Sequence, residues 1–288
     1  MKICIAQMNY NSINIQQHVE KIKDIISRFR TYDLIVFPEL VLHGHPSFEK
    51  PEGFLYRKMK VLYANVSESL YSFVRSVKAK VIIGELRRKG DEYFNLATYV
   101  DQNQVASYTK SHVHWTEHFV PGDDLKVFES DGCRLGVNIC YDAAFSEVWR
   151  VLALRGAQVA VNISAVPWSF SRDYMWRRCL GAAIFNQYYV IYANRPGPHF
   201  GGCSAVFDPR GAMLAAASPH EELLTAELDL AEVARWRQEE VIFANRRPLL
   251  YRDLADRTQY GRLPPDLNPE ASAFLTPPHI SMKSRRIA

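Results

Sequence analysis

The 288-residue chain has no apolar run that approaches the roughly 18 residues a membrane-crossing helix needs. Its cysteines are few and odd in number, five at positions 4, 133, 140, 179 and 203, and no two are spaced as C-x-x-C. That pattern excludes a disulfide framework and a cysteine-type zinc site, and is the one expected of a reduced, cytoplasmic protein. Charge of one sign is not in excess: 35 Lys and Arg stand against 31 Asp and Glu, a net charge of +4. The basic residues are dispersed among acids, which argues against a nucleic-acid-binding face. Low-complexity tracts and linker-like stretches are missing from the middle of the chain. Met1-Lys-Ile-Cys-Ile-Ala reads directly into a strand rather than as a signal peptide. What is present is apolar residue, 48% of the chain, enough for one large core.

Strand-like and helix-like segments alternate. Lys2–Met8 and Asp33–Phe37 are short apolar strands, and between them Ile15, Val19, Ile22, Ile26 and Phe29 recur at helical steps. A broken helical pattern over 54–78 precedes strands at Val81–Glu85, Phe94–Val100 and Gln104–Tyr108. Strands at Val127–Glu129 and Cys133–Ile139, a helix over 145–155, a strand at Val159–Ile163, a helix over 172–186 and a strand at Tyr189–Ala193 follow. Ser204–Phe207 and Ala212–Ala216 flank the turn Asp208-Pro-Arg-Gly211 as a hairpin, before a last strand at Leu223–Leu228 and a helix over 230–239. Such alternation predicts an α/β fold in which helices cover sheets. Residues 246–288, with six prolines and the basic end Lys283-Ser-Arg-Arg286, are too irregular for a domain of their own. The expected division is a domain over 1–260 and an arm over 261–288 that packs on a partner subunit.

Three segments carry chemistry. Arg134-Leu-Gly-Val-Asn-Ile-Cys140 is an apolar run that stops at a cysteine and turns into a helix start, so it lifts a thiol to an exposed sheet end beside backbone N–H groups. Nucleophilic acyl transfer needs that geometry. Asp33-Leu-Ile-Val-Phe-Pro-Glu39 places a carboxylate at the end of a buried strand, where it is costly without a partner or a task such as general-base work. In Tyr108-Thr-Lys110, a lysine closes a strand and leads into a loop rich in histidine and aromatics, ending at Pro121-Gly122.

Together these segments resemble the nitrilase superfamily of carbon–nitrogen hydrolases, in which a Glu, a Lys and a Cys at strand ends form the catalytic set. The matches are Phe37-Pro-Glu39-Leu, Tyr108-Thr-Lys110-Ser-His and Asn138-Ile-Cys140-Tyr-Asp142. Ala6-Gln7, Gly156-Ala-Gln158 and the late Gly202-Cys-Ser-Ala-Val-Phe-Asp-Pro-Arg-Gly211 extend the likeness over about residues 1–245. The resemblance implies a four-layer α-β-β-α sandwich that pairs into a homodimer. The apolar Leu180–Asn186 stretch and the helix of Trp149 would supply the contact. It implies a thiol hydrolase of a small-molecule amide, ureide or nitrile, with no cofactor and no metal. Glu39 would be the base, Cys140 the nucleophile, and Lys110 the charge that lowers the thiol pKa and then stabilises the oxyanion. The backbone N–H of Tyr141 would be a second oxyanion donor. Glu117, in the Lys110 loop, would orient Lys110 and the substrate amide. Trp115, Tyr141, Phe145 and Trp168 are expected to wall the pocket.

His112, His114 and His118 near Glu117 offer a metal site or a Cys–His pair as an alternative, but no further ordered ligand set accompanies them. Tyr141-Asp142 is amidase-like where nitrilases usually carry Trp-Glu; nitrile hydrolysis and non-hydrolytic acyl transfer are the other readings. Many superfamily amidases place Arg just after Cys-x-Asp to bind a substrate carboxylate. Ala143 and Ala144 occupy those places here, so a neutral or amine-bearing substrate is expected unless Arg172, Arg177 or Arg178 compensates. Asp142, Glu117 and Glu147 would face such a substrate. His45 stands where a Tyr is common and bears on the pocket's polarity.

Overall fold

Strand β1 (Lys2–Gln7) sorts its side chains by the two-residue period of a strand. Ile3 and Ile5 enter a core between two sheets, while Ala6 joins a core beneath helices. The same sorting recurs in β2 (Leu34–Val36), where Leu34 and Val36 face inward and Ile35 faces the helices. The computed structural model describes residues 1–10, 14–44, 66–170 and 172–255. The chain divides into two compact units, Met1–Glu240 and Val241–Ala288.

In the first unit, β3 (Val81–Lys89), β4 (Glu92–Val100) and β5 (Val105–Thr109) complete a sheet with β1, β2 and β12 (Glu222–Glu227), in the order β12-β1-β2-β3-β4-β5. The second sheet contains β6 (Lys126–Ser130), β7 (Cys133–Ile139), β8 (Val159–Ser164), β9 (Tyr189–Asn194), β10 (Ala205–Phe207) and β11 (Met213–Ala216). Its order is β11-β10-β9-β8-β7-β6. In each sheet the central strands, β1-β2-β3 and β7-β8-β9, run parallel. Their carboxyl ends therefore share an edge, where a parallel sheet collects functional side chains.

The two sheets face each other across one apolar layer, with Val36, Ile82 and Tyr99 on one side and Leu135, Val161 and Ile191 on the other. Helix α1 (Ile15–Arg28) buries Ile22, Ile25 and Ile26 on the outer face of the first sheet. The Asn14 side chain caps it by accepting from the Gln17 N–H. Residues 66–76 form helix α2, which adds Leu70, Tyr71 and Val74 to the same layer. Helices α3 (Ser146–Leu154) and α4 (Arg172–Asn186) cover the second sheet, and α5 (Leu230–Glu239) follows β12. This is the four-layer α-β-β-α sandwich expected from the sequence.

The expected β3 ended at Glu85, whereas the strand continues to Lys89 and pairs with β4 throughout. Arg87, Arg88 and Lys89 hid it, because strand patterns are read from apolar alternation and these residues reach toward solvent. The expected helix start at 54, His45 and the arm at 261–288 lie outside the described residues. In the second unit, Pro248–Ala255 forms a 3-10 helix.

Candidate active site

Glu39 follows β2 and is fully buried. Its turn packs on β3 at Gly84: a Cβ there would lie 2.6 Å from the Glu39 Cα and 2.5 Å from the Leu40 nitrogen, so only glycine permits the approach. Glu39 Oε1 accepts from Asn95 Nδ2 at 2.7 Å and from Lys110 Nζ at 2.9 Å. Oε2 is buried with no hydrogen-bond partner among the described residues. One oxygen fixes the carboxylate and the other is left to act.

Lys110 follows β5, and its N–H bonds the Asn95 carbonyl at 2.9 Å. The ammonium is fully buried and also donates to Glu117, at 3.0 Å to Oε1 and 2.8 Å to Oε2. Burial alone would lower its pKa, but Glu39 and Glu117 outweigh burial and hold it well above the ordinary lysine value. Glu117 is kept in place by the His114 N–H at 3.0 Å.

Cys140 ends β7 and opens a 3-10 turn, Cys140–Ala144. Its φ of 46° lies in the left-handed region, which costs a non-glycine residue energy and marks functional turns. The residue keeps partial exposure, and the backbone of Ala165, just past β8, lies near enough to its thiol to favour the charged form slightly. Lys110 does lower the thiol pKa, as expected, but it is outweighed. Burial raises it most and Glu39 and Glu117 raise it further, against smaller lowering influences of Lys110 and the Ala165 backbone. The resting group is a thiol, so a base must take its proton during attack.

Asp142 departs from expectation. Rather than facing a ligand, it is fully buried and accepts from Tyr108 Oη at 2.7 Å, the His112 N–H at 2.8 Å, His112 Nδ1 at 2.9 Å and the Ile139 N–H at 2.9 Å. It joins the Cys140 turn to the Lys110 loop. Glu147 is exposed and accepts from the Ser146 hydroxyl at 3.0 Å.

Of the four aromatics named from sequence, three meet. Tyr141 packs edge-on against Trp115 and Phe145, with ring centroids 5.9 and 5.4 Å away. His112 stacks on Phe145 and His114 on Trp115, each at 3.8 Å, so these histidines belong to the aromatic cluster. Trp168 makes no ring contact with them among the described residues; its indole N–H bonds the Gly197 carbonyl at 2.8 Å in the loop after β9. Among the described residues no group of three or more His, Cys, Asp or Glu is placed to hold a metal ion.

Arg172 is exposed, pairs with Asp173 at 3.3 Å and lies over the Trp176 ring; Arg178 lies over Tyr174. Asn95, Ala165, Gly84 and Arg195 were not singled out from sequence. Asn95, a lone amide inside the apolar run Tyr93-Phe-Asn-Leu-Ala97, was the readable signal among them.

The carboxyl ends of the two facing sheets thus carry a buried Glu–Lys–Glu cluster and a cysteine in left-handed conformation. The sequence pattern of the carbon–nitrogen hydrolase family matches residues 2–238, and the chain belongs to that family, within the nitrilase superfamily. It is 29% identical over 264 residues to a nitrilase of Pyrococcus abyssi, covering 87% of this chain and 99% of that one. It is 27% identical over 270 residues to a 2-oxoglutaramate amidase of Paenarthrobacter nicotinovorans, covering 86% and 90%. The crystal structure of a carbon–nitrogen hydrolase from Helicobacter pylori superposes with a TM-score of 0.80 at 22% identity, over 89% of this chain and 98% of that one.

Proposed function

We propose that this protein hydrolyses the C–N bond of a small-molecule amide or carbamoyl group through a thioester on Cys140. The observation that carries the reading is the buried Glu39–Lys110–Glu117 cluster beside a strained, protonated cysteine. The Cys140 proton passes to Glu39 as sulfur bonds to the carbonyl carbon, and the new oxyanion is met by the Lys110 ammonium and the Tyr141 N–H. Collapse breaks the C–N bond, and Glu39 returns the proton to the leaving nitrogen. Glu39 then takes a proton from water, whose oxygen attacks the thioester carbon; the C–S bond breaks, the acid is released, and Glu39 passes that proton to the Cys140 sulfur. Charge developing on oxygen in a dry site makes each donor worth about 3–4 kcal/mol. Glu117 keeps Lys110 oriented and charged, so the ammonium is ready without reorganisation.

Trp115, Tyr141 and Phe145 form the aromatic wall for the acyl group in this reading. The 2-oxoglutaramate amidase among the relatives supports an amide, and the Pyrococcus abyssi nitrilase keeps nitrile hydrolysis as the alternative. A panel of amides, ureides and nitriles scored by ammonia release tests it: amide turnover is expected, and turnover of nitriles alone would replace it.

The active form is read as a cytoplasmic homodimer. Five free cysteines fit a reducing compartment. On α4, Ile184 and Phe185 are exposed, with Phe185 at 68%, and are offered to a second copy. On α3, the other helix expected in that contact, Trp149 is buried and its indole N–H donates to the Ala143 carbonyl. Light scattering at micromolar concentration should report twice the chain mass; a monomer would remove this part of the reading.

A further inference from the structure

Arg195 follows β9 directly and is 4% exposed, yet little of its guanidinium is paired. Nη2 donates to Asn9 Oδ1 at 3.0 Å, and the carbon Cζ sits 4.6 Å from the Phe200 ring centroid. Nε and Nη1 have no hydrogen-bond partner among the described residues. A guanidinium buried with spare donors is expensive, because desolvation is repaid only by a complete set of acceptors. Burial lowers its pKa to about 10 against the opposing pull of Glu39, so it remains a cation at neutral pH.

Its place in the sheet gives that charge a context. The Arg195 N–H bonds the Ser164 carbonyl at 3.0 Å, and its own carbonyl accepts from the Gly202 N–H at 2.9 Å. Ser164 ends β8 as Ile139, the residue before Cys140, ends the neighbouring β7, and the Ala165 backbone that follows lies near the Cys140 thiol. Arg195 is thus anchored one strand away from the backbone beside the nucleophile, at the same carboxyl edge that carries Glu39. The positions after Cys140 that would hold carboxylate-binding arginines are Ala143 and Ala144; on α4, Arg172 and Arg178 are engaged at the surface and Arg177 is exposed.

We propose that Arg195 is a specificity-determining residue whose spare donors bind a carboxylate on the substrate, so that the preferred substrates are carboxylate-bearing amides. The assignment rests on the amide-hydrolase reading for its reaction but on the buried guanidinium for its charge preference. It reverses the neutral-substrate preference expected from Ala143 and Ala144. A carboxylate offers two oxygens to such a group through charge-assisted hydrogen bonds, and a site built for them penalises the analogue that lacks them.

The test compares glutaramate with pentanamide, matched in length and differing in the terminal carboxylate. In the wild-type enzyme kcat/KM should favour glutaramate by at least about tenfold, and Arg195→Gln should reduce that ratio by at least about tenfold. A ratio that stays constant while both substrates slow equally would make Arg195 a structural residue and overturn the proposal. So would a wild-type preference for pentanamide. Calorimetry with glutarate provides an arm that needs no turnover: wild-type enzyme should bind it at least about tenfold more tightly than Arg195→Gln. If no amide is hydrolysed but that difference holds, the reaction assignment fails and the anion site stands; equal glutarate binding overturns the anion site. Should Arg195→Gln not fold, Arg195→Lys keeps the charge, and loss of the glutaramate preference is then expected to be partial. An unaltered ratio in that variant, together with no glutarate binding by the wild type, rejects the proposal.

Discussion

The hydroxyl of Tyr108 donates a 2.7 Å hydrogen bond to Asp142, and that bond ties the strand leading to Lys110 to the turn that carries Cys140. Tyr108 lies in β5 of the first sheet, and Asp142 in the turn that follows β7 of the second. With the two bonds that His112 makes to the same carboxylate, this contact holds the Cys140 turn against the Lys110 loop.

Tyr108→Phe should lower kcat more than it raises KM, because it loosens the placement of the two groups and removes no substrate contact. Loss of one bond to a buried carboxylate should also cost about 1–3 kcal/mol of stability. Urea unfolding and steady-state kinetics check this; an unchanged kcat with lowered stability would show that the tether serves the fold alone.

Gly84→Ala places a methyl group against the Glu39 turn, within 2.6 Å of the Glu39 Cα. The backbone there must move, and a displacement near 1 Å at a reacting group costs about a hundredfold in rate. We expect kcat/KM to fall by at least that factor in protein that retains its circular dichroism spectrum. Wild-type kinetics in the variant would contradict the packing account.

Stability should fall on mild acidification. His43 is buried and accepts the Leu86 N–H on Nδ1 at 3.1 Å, and burial lowers its pKa to about 3. The unfolded chain takes up this proton near pH 6.5, whereas the folded protein resists it. Its contribution is thus complete above about pH 6.5 and is lost as pH falls toward 3, at up to about 1.4 kcal/mol per pH unit. His18, also lowered by burial, acts in the same direction. Unfolding free energies between pH 7 and 5 should decline in the wild type and less steeply in His43→Asn. Parallel slopes would exclude His43 as a source.

Much of this architecture is legible from sequence because parallel strands announce their ends. Glu39 and Cys140 each follow an apolar run, Lys110 closes the mixed edge strand Val105–Thr109, and fold topology then brings those ends to one edge. What sequence leaves hidden is the set of partners from distant segments. Nothing local in Gly84 tells that the Glu39 turn will press on it, and Asp142 looks like a site acid until four donors are seen around it. The resting state of the Cys140 thiol is hidden too. A nearby lysine suggests a lowered pKa, whereas burial and two carboxylates together prevail. Arg195 is one of 35 basic residues until its burial is known.

The central claim is that Cys140 forms a covalent acyl intermediate from which Glu39 drives release. Intact-protein mass spectrometry with peptide mapping tests it most directly, using Glu39→Gln and Cys140→Ala incubated with the amide that the wild type turns over best. The account predicts an acyl adduct on the peptide containing Cys140 in Glu39→Gln, no adduct in Cys140→Ala, and no ammonia release by the latter. Hydrolysis by Cys140→Ala near the wild-type rate, or an adduct on another cysteine, would contradict it.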